Sequence, residues 1–169
     1  MATRTSTSSS TSGSKAGGAR IIGADPSRAD GPGPYIMDAD TLIGDNVVNA
    51  SGEDLGEIKA IMLDVESGRV AYAVLSFGGF LGMGNKLFAI PWSALTLDAD
   101  EKRFVLDVAK DRLDNAPGFD KDHWPAMADA SWARQLHEYY DVRPYWDDDI
   151  ASRDPRTSSG STLREPKSY

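Results

Sequence analysis

The first chemistry to test lies between Gly78 and Lys86, in "SFGGFLGMGNKLFAIPW", where four glycines precede a lysine. Backbone amides freed by glycine, with a nearby ammonium, are what a phosphate cradle needs. The spacing does not deliver it. Gly79 and Gly84 have the separation of a nucleotide-binding loop, but Asn85 intervenes before Lys86, and Leu87 stands where a hydroxyl should meet magnesium. Gly82 and Gly84 begin a dinucleotide pattern that ends on Leu87 instead of a third glycine. A strand-like run follows the glycines, so the amides and dipole of a helix N-terminus are missing. The stretch is read as a long hairpin connection. Its side chains Phe80, Leu81 and Met83 are too apolar to stand in water without a surface to cover.

Two histidines are the other candidates for chemistry. His123 stands near Asp120 and Asp122, and these three would be the nucleus of a small-molecule or metal-binding site. No ligand spacing of the HExxH kind supports it, and a surface or aromatic-packed histidine is the plainer reading. His137 lies in a helical pattern beside Glu138, which points off its face. No G-x-S-x-G elbow is present for a serine nucleophile. The acidic run at 98–101 lacks the alternating pattern and central glycine of a calcium loop and reads as a solvated turn, while Asp147 to Asp149, after "RPYW", mark the exit from the fold. The catalytic, cofactor and metal assignments are therefore all none.

The elements that must position these residues are legible from turn signals. Ser51-Gly52 and Ser67-Gly68 each separate strand-like runs, and "DADE" separates "SALTL" from "KRFVLDV". In "GEIKAIMLDV" both alternating faces are partly apolar, so the strand is expected to curve or to be covered on both sides. Pro91 marks a strand end or edge. "AKDRLDNAP" reads as a short helical turn stopped by Pro117. A second helix follows, capped by Asp129 or Ser131, with Trp132, Leu136 and Tyr139 or Tyr140 on one apolar face. Five or six short antiparallel strands at this spacing would remove their edges by closing into a barrel.

Composition bounds the partners. The 169-residue chain carries a net charge of −8 and no cysteine. Disulfides and thiol chemistry are excluded, and the absence fits a reducing, cytoplasmic setting. The acidic charge is concentrated in the middle. Residues 1–34 hold Arg4, Lys15, Arg20 and Arg28 against Asp25 and Asp30, and residues 151–169 are similarly basic. Nucleic-acid binding needs clustered cations, so no nucleic-acid partner is expected. No apolar run approaches the roughly 18 residues of a membrane span, and no membrane insertion is expected. Residues 1–34 and 151–169 are Ser, Thr, Gly and Pro-rich and are read as disordered polar tails.

One further feature is a resemblance. "LIGDNVVNASGEDLGEIKAIMLDVESGRVAYAVLSFGGFLGMGNKLFAIPWSALTLD" resembles the PRC-barrel domain through its early G-x-x-V strand, "GEDLGEI", "GRVAYAVL" and "FAIPW". The trailing "NAPGFDKDHWPAMAD" with "YY" and "RPYW" looks like the extension of free-standing bacterial members. The resemblance implies a small six-stranded barrel used for binding and not catalysis, as in the photosynthetic reaction centre H subunit and a ribosome-maturation factor. It carries no catalytic residue to map. The expected architecture is a mainly β chain: a six-stranded antiparallel barrel over 35–115, an aromatic helical extension over 116–150 packed on the barrel or a partner, and the two tails. The expected function is a self-associating protein-interaction or assembly module, with Phe80, Leu81, Met83, Trp124, Trp132 and Tyr139 as its candidate surface. The alternatives are an enzyme built on His123, Asp120 and Asp122, and an accessory of photosynthetic electron transfer by family analogy alone.

Overall fold

A computed structural model describes residues 17–23, 33–78 and 86–147. In chain order the elements are β1 (Arg20–Ile22), α1 (Ala39–Leu42), β2 (Asn46–Val48), β3 (Asp54–Asp64), β4 (Arg69–Phe77) and β5 (Lys86–Pro91). They continue through a 3-10 turn (Trp92–Ala94), β6 (Leu95–Asp98), β7 (Arg103–Leu106), α2 (Lys110–Asp114) and α3 (Ala130–Tyr139).

The expected turns fold as hairpins or tight returns. Ser67-Gly68 joins β3 to β4, with the Asp64 carboxylate accepting the Glu66 and Ser67 amides at 3.1 and 3.2 Å. This local satisfaction of amide donors is what Asp offers at a turn. Ser51-Gly52 turns β2 into β3, and Asn49, itself buried, receives the Ser51 and Glu53 amides at 3.0 and 2.9 Å. β3 is bent by register shifts at Ile58/Ala60 and Met62/Leu63. Such irregularities let one strand serve two packing faces.

Four expectations are corrected. The sheet among the described residues has seven strands in the order β1-β6-β7-β2-β3-β4-β5, not six. It is mixed and not all antiparallel, because β1 runs parallel to β6 and β2 parallel to β7. It does not close: β1 and β5 are its two ends. Alternation of apolar residues reports which face a side chain takes, not the direction of the neighbouring strand. The fourth correction concerns the N-terminal tail, where Arg20–Ile22, expected to be disordered, form β1 against Thr96–Asp98. The other residues read as tails, 1–16, 24–32 and 151–169, lie outside the described residues.

Without closure, the β5 edge is blunted differently. Phe119 and Leu87 exchange backbone hydrogen bonds at 2.8 and 2.9 Å, so an isolated bridge covers part of that edge. The core gathers Leu55, Ile58, Leu75, Phe88, Ile90, Leu95, Phe104 and Leu106, each essentially without solvent contact. In β4, every position from Ala71 to Ser76 is buried, so both faces of this strand are covered. One further point is fixed by close approach. Gly56 has φ +117°, and a Cβ there would stand 2.0 Å from the Ser76 carbonyl oxygen. Only glycine fits between β3 and β4 at that register.

Candidate functional site

The C-terminal aromatics assemble on the sheet through α3. Asp129 starts the helix by accepting the Trp132 amide at 2.8 Å, as its side-chain type suggested. Helical spacing then buries Ala133, Leu136 and His137. Trp132 meets Tyr72 of β4 edge to face at 5.5 Å between centroids. His137 adds contacts to Tyr72 at 5.8 Å and Trp146 at 4.9 Å, and Tyr145 and Trp146 contact each other at 5.0 Å. Polar bonds lock the returning chain: Tyr145 donates its hydroxyl to Asp64 at 3.0 Å, and Arg69 donates to the Tyr145 carbonyl at 2.9 Å. This cage is a packed box.

His137 is 1% exposed. Its Nδ1–H donates to the Ala133 carbonyl at 2.7 Å, and burial holds its pKa below the usual imidazole value. The ring is thus neutral. Burial and the Asp64 carboxylate push the Tyr145 phenol up to about 12, so it too stays neutral and donates.

The enzyme candidates sit elsewhere, on a turn in open water. Both Asp120 oxygens lie 2.8 and 2.9 Å from His123 Nδ1. His123 and the Asp122 amide hold the Asp120 carboxyl below its ordinary pKa. Asp122 does not join them; its carboxylate pairs with Lys121 at 2.7 Å. Trp124, beside this turn, packs its ring at a tilt against Phe119, 5.0 Å between centroids, and donates its indole N–H to the Lys121 carbonyl at 3.0 Å. Among the described residues there is no group of three or more His, Asp or Glu placed to hold a metal ion.

Of the candidate surface, Trp132 and Tyr139 are partly buried against the core, and Trp124 is exposed. Tyr139 is held within the chain. It donates its hydroxyl to the Arg112 carbonyl at 2.5 Å, and the Arg112 guanidinium both covers its ring and donates to its carbonyl. Phe80, Leu81 and Met83 lie outside the described residues. Lys86, the lysine that invited a phosphate reading, sends its ammonium toward the carbonyls of Asp114 and Ala116 at 3.3 and 3.4 Å and over the Phe88 ring.

Two apolar concavities were missed by sequence reasoning. A cleft of about 500 Å³ lies between the β3–β4 turn and the α3 region, walled by Met62, Val65, Met127 and Trp146. A larger groove of about 890 Å³ is walled by Ile21 of β1, Tyr35, Ile36 and Met37, and by Leu63 and Val70. Leu63 borders both. The available signal was compositional. Between residues 2 and 41 the only large apolar side chains are Ile21, Ile22, Tyr35, Ile36 and Met37.

Residues 36–113 match the PRC-barrel domain. This segment belongs to the PRC-barrel family. No curated protein matches the chain. The PRC-barrel segment runs from Ile36, at the groove wall, through α1 and β2 to β7 and into α2. β1 and α3 lie outside it, and each packs onto it, β1 along β6 and α3 against β5. No helix among the described residues is long and apolar enough to cross a membrane.

Proposed function

We propose that this PRC-barrel chain is a non-catalytic protein-interaction module that self-associates and works by burying apolar surface. The observation that carries this reading is the apolar exposure on an otherwise well-packed fold: Ile36 is 74%, Leu63 62% and Val65 91% exposed. Folded chains seldom leave side chains of this size grouped in water without a use for them. Both concavities are lined mainly by apolar groups, and the two histidines are a packed neutral ring and a ring on an open turn. Phe80, Leu81 and Met83 of the β4–β5 connection, and separately the exposed Trp124, are further candidate contact residues.

The test is purification of the tagged chain from its native cell, with the mass of the recovered complex measured beside that of the pure protein. A mass above 18.2 kDa in either preparation supports the reading. A monomer in both removes it. Replacing Phe80→Asp together with Leu81→Asp then decides the connection: an unchanged complex takes it out of the interface.

A further inference from the structure

β1 is a strand added to the family domain from outside it. It comprises Arg20–Ile22, while the matched segment begins at Ile36. The sequence between them holds Gly23, Gly31 and Gly33 with Pro26, Pro32 and Pro34, and no large apolar residue before Tyr35. β1 pairs with one neighbour, β6, and its other side ends the sheet. The pairing runs parallel over three positions, Arg20 to Thr96, Ile21 to Leu97 and Ile22 to Asp98. The Ile22 carbonyl accepts the Ala99 amide at 3.0 Å. Of the three side chains only Ile21 packs on the core; Arg20 and Ile22 are exposed.

Fixing the backbone of three residues costs conformational entropy comparable to what one half-buried isoleucine and a few edge hydrogen bonds return. β1 is therefore weakly held. β6 behind it belongs to the core: Leu95 and Leu97 are buried, and β7 pairs along its whole length. With β1 lifted away, the β6 backbone is a bare edge, the kind of template to which an extended polypeptide adds.

We propose that the β6 edge is a strand-accepting site, that β1 is its built-in occupant, and that an extended segment of a different protein displaces it. The segment pairs parallel to Leu95–Asp98, places a large apolar side chain where Ile21 lies, and continues with a lysine or arginine. The inference rests on the interaction-module reading and names the kind of partner.

Each requirement comes from what surrounds β1. Ile21 walls the groove of about 890 Å³ together with Trp92, Leu97 and Phe104, so an apolar side chain larger than isoleucine has room there. Past Ile22 the strand meets acidic groups. A Cβ at Gly23 would stand 2.6 Å from Asp100 Oδ2. Asp98 has Arg103 at 3.7 Å, but Asp100 and Glu101 make no ion pair among the described residues. The chain's own sequence continues Gly23-Ala24-Asp25, with a like charge and no cation for this rim. A basic continuation is attracted by Asp100 and Glu101 and by the net charge of −8.

A second copy is the poorer occupant. Its β1 is identical to one already tethered in place at an effective concentration of about millimolar, so at micromolar concentration it displaces nothing. Only a better-fitting segment does.

The test uses the full-length chain and a fluorescein-labelled peptide of residues 16–25 in which Ala24→Lys and Asp25→Lys supply the cation. Its binding, read by anisotropy, is expected to tighten about tenfold or more in the Ile21→Asp chain, whose own strand no longer competes. The unsubstituted peptide is expected to bind about fivefold more weakly, and a peptide carrying Ile21→Asp not to bind. Equal affinity for the wild-type and Ile21→Asp chains overturns the proposal, as does binding to neither. Hydrogen exchange decides the same point in the unsubstituted chain. The Ala99 amide is expected to exchange about 100-fold faster than the amides of β4, and to slow when the peptide is added. An Ala99 amide as protected as those of β4 makes β1 a permanent strand and overturns the proposal. A wild-type dimer that Ile21→Asp abolishes means that copies exchange β1 with each other, and the different partner falls. If the peptides fail while the chain is still recovered from cells in a complex, the interaction-module reading stands and only the strand site falls. If it is recovered alone, both fall.

Discussion

Tyr72 and Ile36 both border apolar hollows, yet Tyr72 is 3% exposed and Ile36 74%. Tyr72 lies under a cover the chain makes for itself. α3 brings Trp132 and His137 onto it, and the Asp64–Tyr145 and Arg69–Tyr145 bonds fasten the return. Around Ile36 the side chains are mostly aliphatic, and the adjoining segments offer nothing large to lay over them. Aromatic residues with a polar edge can be fixed by specific bonds as well as by area. Aliphatic ones are fixed by area alone, and that area can come from any complementary surface. The aromatic side is therefore an internal joint of the fold, while the aliphatic side is open for an external one.

The β3–β4 pair is the floor common to both sides, so breaking it should abolish the comparison. Gly56→Ala would drive a methyl into the Ser76 carbonyl at a backbone conformation other residues avoid. The expected loss is about 4 kcal/mol or more, read as a fall in the denaturation midpoint or as insoluble expression. A loss under about 1 kcal/mol would show that this register is not fixed by the glycine.

Trp132→Ala separates the two sides. It removes a large ring from Tyr72 and should cost about 3 kcal/mol in chemical denaturation. It should also raise protease cleavage after residue 129 without changing residues 35–37. A cost below about 1 kcal/mol would mean that α3 is not a joint and that the aromatic side is as open as the aliphatic one.

Much of this joint was legible in the sequence, and much of the open face was not. Turn residues are local, so Ser51-Gly52, Ser67-Gly68 and the Asp129 cap pointed to their elements directly. Helical spacing marked Trp132 and Leu136 in the same way. The parallel pairs β1–β6 and β2–β7 join residues far apart in sequence, and no local pattern encodes them. β1 is three residues long in a small, polar setting, so composition assigned it to a tail. With β1 missed, the groove that it helps to wall was missed too. Asp120, Asp122 and His123 were grouped as neighbours in sequence, but which of them pair, Asp120 with His123 and Asp122 with Lys121, is set by the turn after Phe119 bridges to β5, which sequence proximity does not report.

Acid should loosen the covered side selectively. His137 has a folded-state pKa below the usual 6.5, with burial as the main cause. As pH falls through about 6.5 the unfolded chain takes up this proton first, so stability declines from there down to the folded value. Facing the ring are Tyr72, Tyr145 and Trp146, with the Asp147 carboxylate acting weakly in the opposite direction. One such proton contributes at most about 1.4 kcal/mol per pH unit. His137→Gln should flatten the drop in melting temperature between pH 7 and pH 5. An undiminished drop would move the titrating group elsewhere in the molecule.

The smallest effect on folding is expected at the open face, and it sharpens the contrast most. Ile36 is mostly in water, so Ile36→Asp in dilute protein should change stability by no more than about 0.5 kcal/mol. Concentration changes what the same substitution does. If two copies bind through this face, association stabilises the folded wild-type chain by mass action, and its melting temperature rises with protein concentration. The variant's should not rise. Trp132→Ala predicts the opposite behaviour, a loss that persists at every dilution because the partner surface is tethered in the same chain. Parallel melting curves for wild type and Ile36→Asp across a hundredfold concentration range would place both sides in one class, and the distinction between an internal and an external joint would fail.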